Sequence, residues 1–207
     1  MIQNLFPTQI WHSSSNLKDS IKNKVLHDIE ENFQKNKSTI KSFKNCKVHT
    51  SILKKNDINY SEIIHYFKEE YEKFCTQINL QLHKYSINEI WYNYYLSGCN
   101  QEYHDHLAPV KLKSIVYTIV YFLKLNDSHP KITFPNYTNY HAVYSTNLEM
   151  KKLYSRDNID HSITHPFWNL NVKEGDLIIF PSYLPHGVFL QKTDDPRITI
   201  SSNIILL

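Results

Sequence analysis

A chain of 207 residues is long enough for one domain with a real core and short for two. With 41% hydrophobic and 21% charged residues it is not a disordered composition, and a net charge of +3 is too mild for a dedicated nucleic-acid binder. The total of 3 glycines excludes the P-loop and Rossmann nucleotide folds, whose phosphate loops need two or three glycines close together.

Met1–Pro7 lacks the cationic start and apolar stretch of a secretion signal. Cys46, Cys75 and Cys99 form no C-x-x-C pair, so the expectation is a reducing cytoplasm without a disulfide framework. Leu17, Ile21, Val25 and Ile29 recur every fourth residue and predict an amphipathic helix over about 16–35. Residues 36–60 are rich in Lys, Asn and Ser, with a short strand near Val48–Leu53. The overlapping Lys-rich stretch Lys35–Lys47 reads as a solvated face or loop rather than a nucleic-acid contact. Ser61 is placed to cap a second helix, whose stripe of Ile64, Phe67, Tyr71, Phe74 and Ile78 runs to about residue 79.

From residue 84 the period changes. Ile87–Leu96 is β-branched and aromatic, and Ser114–Leu125 is a nearly continuous apolar run. The run is too short for a membrane span and too β-branched for a good helix, so it reads as a buried strand. Residues 126–170 show no clear period. Strands follow at Leu177–Phe180, Val188–Leu190 and Arg197–Leu206. The order predicts a single, mainly β domain: a helical scaffold over 1–83 packed on one face of a mainly antiparallel barrel or sandwich over 84–207.

Gly98, Gly175 and Gly187 all lie beside the segments that carry chemistry. In His104-Asp105-His106, an extended backbone points the two imidazoles to one side and Asp105 to the other, half of a metal site. Glu174–Val188 reads as a turn, a buried strand ending Phe180-Pro181-Ser182, and a tight turn presenting His186. Arg197 follows 11 residues later, with Thr199 in the same phase. An Arg inside a barrel demands an anion, and a carboxylate fits its fork. Read singly, each has a bland counterpart: a polar loop, a surface His, an exposed Arg at a strand start.

Their order over residues 87–204 is what carries a resemblance. Trp91-Tyr92-Asn93, Gly98, His104-Asp105-His106, Tyr121-Phe122, Phe180-Pro181-Ser182 with His186, and Arg197-Ile198-Thr199 follow one another. This resembles the 2-oxoglutarate- and Fe(II)-dependent oxygenase superfamily, above all its small members from marine bacteria and phages. The resemblance implies a double-stranded β-helix (jelly roll) with helices packed on one sheet. It implies Fe(II) held by His104, His186 and, where the wider superfamily has a carboxylate, His106. Asp105 is the alternative ligand if a bulge rotates the segment. It further implies 2-oxoglutarate gripped by Arg197 and Thr199, with Tyr121 or Tyr117 reaching the same carboxylate.

Asn93, Tyr95 and Trp91 are the substrate-side candidates, although Trp91 reads first as core, and Trp168-Asn169 as packing. The implied reaction is a hydroxylation in which dioxygen is consumed and 2-oxoglutarate is decarboxylated to succinate. The oxidised substrate, a small molecule or a protein side chain, is not given by the residues. Residues 127–165, with Tyr137, Tyr140, His141 and Tyr144, are the lid candidate. The expected location is a cytoplasm, that of the host if a phage encodes the chain. A three-histidine cupin-type dioxygenase that does not use 2-oxoglutarate, and a non-catalytic binding module, are the competing readings.

Overall fold

A computed structural model describes residues 8–14, 17–36, 47–52, 57–87, 89–107, 114–135 and 167–207. Two helices form where the apolar spacing placed them, α1 (Asp19–Asn36) and α2 (Ser61–Gln77). α1 buries Val25, Ile29 and Phe33, and α2 buries Ile63, Tyr66, Phe67, Tyr71, Phe74 and Cys75. Ser61 is not the cap. Tyr60 holds that position without a side-chain bond, while Asn59 Oδ1 accepts the Ser61 N–H at 3.0 Å. Among the described residues, no helix is long and apolar enough to cross a membrane.

Eleven strands make two antiparallel sheets among the described residues. They are β1 (Trp11–Ser14), β2 (His49–Thr50), β3 (Tyr85–Ser86), β4 (Ile90–Tyr95), β5 (Gln101–His104), β6 (Ser114–Lys124), β7 (Ile132–Pro135), β8 (Phe167–Asn169), β9 (Asp176–Pro181), β10 (His186–Val188) and β11 (Arg197–Leu206). The large sheet runs β1-β9-β6-β11-β4-β2, with β3 also on β11, and the small sheet runs β5-β10-β7-β8. This is the jelly roll that the resemblance implied.

Period-two alternation gives the large sheet two buried faces. Tyr92, Tyr94, Ile119, Tyr121, Leu123, Leu177, Ile179, Ile198 and Ile200 face the helices in one core. Val120, Phe122, Ile178 and Phe180 face the small sheet and meet Ile132 and Phe134 in a second. The polar phase of β11, Arg197, Thr199, Ser201 and Asn203, is buried on that inner face rather than solvated.

Some expectations fail for reasons of context. β7 and β8 arise inside 126–170, where four- and three-residue strands are too short to show a period. Trp168 is 44% exposed on β8, not packed. The strand expected at Val188–Leu190 ends at Val188, and Phe189 and Leu190 are exposed. Most of the lid candidate, Tyr137, Tyr140, His141 and Tyr144 included, lies outside the described residues.

Glu70 ties the N-terminal strand to α2. Its carboxylate accepts from Trp11 Nε1 at 3.1 Å, Ser13 Oγ at 2.6 Å and Lys73 Nζ at 2.7 Å. Burial alone would raise its pKa, but these hydrogen bonds outweigh it and hold the carboxyl below its usual value. A depressed carboxyl contributes stability that is present above the unfolded-state value and is lost as pH falls through the folded one. Glu70→Gln is therefore expected to cost about 1–3 kcal/mol near neutral pH. By calorimetry this would be a Tm drop of roughly 2–4 °C per kcal/mol, shrinking on acidification.

Candidate metal centre and its anion pocket

In the small sheet β5 pairs with β10, and this pairing sets His104 directly opposite His186. Gly187 makes the approach possible: a Cβ there would stand 3.0 Å from the Gln101 carbonyl oxygen and 3.0 Å from Tyr103 Cδ1. His106 follows two residues after His104, its N–H donating to the Ser182 carbonyl at 2.9 Å. The ring centroids are 4.4 Å apart for His104 and His186, 5.1 Å for His106 and His186, and 5.4 Å for His104 and His106. One ring nitrogen from each lies within 4.8 Å of the other two.

Which nitrogen is free follows from the neighbours. Nδ1 of His104 is 2.9 Å from the Glu102 carbonyl, that of His186 is 3.1 Å from the Leu184 carbonyl, and that of His106 is 2.7 Å from Asn203 Oδ1. Carbonyl and amide oxygens only accept, so each Nδ1 carries the proton and donates it. Each Nε2 is left with a lone pair. Burial also keeps the rings neutral. It lowers His104, pulls His186 well below the ordinary imidazole value with help from the other two rings, and lowers His106 to about 4. Phe180 lies 4.7 Å from the buried His186 ring and Trp91 5.8 Å from the half-buried His106 ring. Three neutral imidazoles with pinned tautomers are a donor set ready for a divalent metal.

Asp105 does not join them. It is exposed, and its Oδ1 accepts the Leu107 N–H at 3.0 Å, as extended alternation requires. Asn203 is a support that sequence reasoning missed, although it continues the phase of Arg197, Thr199 and Ser201. Thr118 Oγ1 donates to the same Asn203 oxygen at 3.3 Å. Removing the acceptor in Asn203→Leu is expected to weaken metal binding 10- to 100-fold, measured by titrating the metal-free protein.

The second half of the site is Arg197. It is 1% exposed, and its Nε and Nη1 find no hydrogen-bond partner among the described residues. Its guanidinium carbon lies 4.7 Å from the centre of the Tyr95 ring and 5.7 Å from that of Phe122. Burial pushes its pKa down, and the hydrogen-bonded Tyr95 hydroxyl works against that. A cation this deep with two unused donors calls for an anion. Arg197 and the three histidines line one cavity, together with Trp91, Asn93, Tyr95, Gln101, Thr199 and Ser201.

Register explains who lines it. Tyr95, Asn93 and Trp91 pair across the strands with Arg197, Thr199 and Ser201. Tyr121 and Tyr117 are the corrections. On β6, Tyr121 pairs with Ile200, whose side chain faces the helices, so Tyr121 faces them too. Its ring lies 6.1 Å from that of Tyr66 on α2, and Tyr117 lies 5.1 Å from Phe74. The residues of β6 on the cavity side are Thr118, Val120 and Phe122, of which Val120 lines the cavity itself.

A jelly roll whose sheets bring three neutral histidines and one buried Arg, two of its nitrogens without a partner among the described residues, into one cavity belongs to the metal- and anion-binding class of that fold. The family model described as "Putative 2OG-Fe(II) oxygenase" matches residues 89–203, and the chain belongs to that family. It is thus an oxygenase whose cofactors are Fe(II) and 2-oxoglutarate, and both halves of the cavity have the chemistry to receive them. No curated protein matches the chain.

Solved structures share the fold at low identity. The α-ketoglutarate-dependent carbocyclase SnoK from nogalamycin biosynthesis aligns with TM-score 0.66 and 10% identity over 96% of this chain and 79% of its own. A prolyl-4-hydroxylase from Pseudomonas putida gives 0.60 and 10% over 97% and 94%. The viral collagen prolyl hydroxylase of Paramecium Bursaria Chlorella virus-1, solved with 2-oxoglutarate, gives 0.55 and 11% over 96% of each chain.

Proposed function

We propose that the protein is a hydroxylase-type dioxygenase that couples decarboxylation of 2-oxoglutarate to succinate with oxidation of a second substrate. In this reading His104, His106 and His186 hold Fe(II) through Nε2, and Arg197 takes the distal carboxylate of 2-oxoglutarate in its fork, with Thr199 beside it. The observation that carries it is Arg197: a buried guanidinium with two nitrogens unpartnered among the described residues, in the cavity that the three imidazoles share. Bound iron would supply the activation of dioxygen. The chain's residues would supply position, charge and dryness. Tyr95 supports the guanidinium, Trp91 and Asn93 line the wall, and Phe134 and Phe180 keep water from His186.

A three-histidine dioxygenase without 2-oxoglutarate would leave that cation unmatched, and so would a purely structural barrel. The oxidised substrate would be a small molecule or a protein side chain. The buried thiols of Cys75 and Cys99 suit the reducing cytoplasm expected for the chain. Turnover in ¹⁸O₂ tests the assignment. One labelled oxygen is expected in succinate, and the hydroxylated product, once its substrate is found, should carry the other. Oxygen consumption without succinate would favour the other dioxygenase class.

A further inference from the structure

Gln101 joins the two halves of the cavity. Its Oε1 accepts a short hydrogen bond from the Tyr95 hydroxyl, which is itself bonded to Arg197. Its Nε2 lies 3.3 Å from Nε2 of His104. Because the His104 Nδ1 proton goes to the Glu102 carbonyl, that Nε2 holds only a lone pair, and the Gln101 amide is the donor. The lone pair that Gln101 engages is the one a metal ion would use. The two cannot share it, so metal binding must release the amide N–H of this half-buried side chain into the cavity that the site shares. 2-Oxoglutarate offers only acceptors: two carboxylates and a keto oxygen.

We propose that Gln101 is a positioning residue that exchanges partners. Its amide caps His104 until metal arrives, then turns its N–H to 2-oxoglutarate while its carbonyl keeps Tyr95, and so Arg197, in place. Gln101 thereby favours the cosubstrate after the metal and opposes the metal itself. This rests on the site assignment proposed above. A merely structural Gln101 would move both affinities the same way or neither.

The test is a pair of dissociation constants measured without turnover, for Gln101→Leu and Gln101→Asn against the parent. Mn(II) is titrated into the metal-free protein, then 2-oxoglutarate into the Mn(II)-loaded protein. One ordinary hydrogen bond on each side sets the scale at about 3- to 10-fold. Gln101→Leu should bind Mn(II) that much more tightly and 2-oxoglutarate that much more weakly, with a single cooperative melting transition showing that it folds. Gln101→Asn keeps the amide but shortens its reach. It should bind Mn(II) as Gln101→Leu does and recover no more than part of the cosubstrate affinity. Both constants weakening together, or the cosubstrate constant staying at the parental value, would overturn the proposal. A parent protein that binds neither Mn(II) nor 2-oxoglutarate would instead overturn the site assignment beneath it.

Discussion

Arg197→Leu is expected to raise the dissociation constant for 2-oxoglutarate by about 100-fold or more while leaving metal affinity within about twofold. The first half follows from two charge-assisted bonds lost at once, each worth about 1.5–3 kcal/mol. The second follows from geometry: Arg197 touches Tyr95 and Phe122, whereas the histidine tautomers are set by Glu102, Leu184 and Asn203. Arg197→Lys should fall between, because a lysine keeps the charge and loses the fork. Titration of the metal-loaded protein with 2-oxoglutarate under anaerobic conditions reads this directly. Parental affinity in Arg197→Leu would remove the guanidinium from the site.

The second large effect is at His186. His186→Ala should lower metal affinity by more than about 100-fold, beyond the range seen for the loss of supporting residues. Asp105→Ala should leave it unchanged, because that carboxylate is exposed and turned to Leu107. The same reading has a pH signature. An exposed imidazole takes up a proton near pH 6.5 and stops binding metal. Here burial holds all three rings low, with His106 at about 4. Metal affinity should thus hold level through pH 6.5, where an ordinary imidazole is half protonated, with the His106 ring taking up its proton only near about 4. The linkage has a sign: below about pH 6.5 the unfolded chain binds more protons on these rings than the folded one does. The metal-free protein should therefore lose stability as pH drops from about 6.5 towards 4. Metal affinity that falls about tenfold per pH unit from pH 6.5 downward would contradict imidazoles held neutral by their surroundings.

Both helices and β11 were legible in the sequence because their periods are long enough to count, as in the Ile64–Ile78 stripe and Arg197–Leu206, and β6 was legible as a continuous apolar run, although the structure buries Ile63 rather than Ile64. The short strands β7 and β8 were not, since they owe their shape to their partners rather than to a pattern of their own. The histidines were legible because i and i+2 converge in any extended segment. Arg197 was visible as a residue but not as a buried one, since alternation gives a polar face without saying what covers it.

Tyr121 shows the limit best. β6 is apolar on both faces, so its sequence does not reveal which phase meets the cavity. Only the register with β11, which sets Tyr121 against Ile200 and Phe122 against Thr199, decides it. Gln101 and Asn203 were missed for a related reason: a polar residue that matters only through a partner 3 or 97 positions away leaves no local signal.

The most direct measurement is an anaerobic titration of the metal-free protein with Fe(II) and then 2-oxoglutarate, followed by visible absorption. A charge-transfer band that needs both additions is expected, and it should be absent in His186→Ala and shifted to far higher 2-oxoglutarate concentrations in Arg197→Leu. Iron binding with no such band at any 2-oxoglutarate concentration would contradict a cavity built to hold the two together.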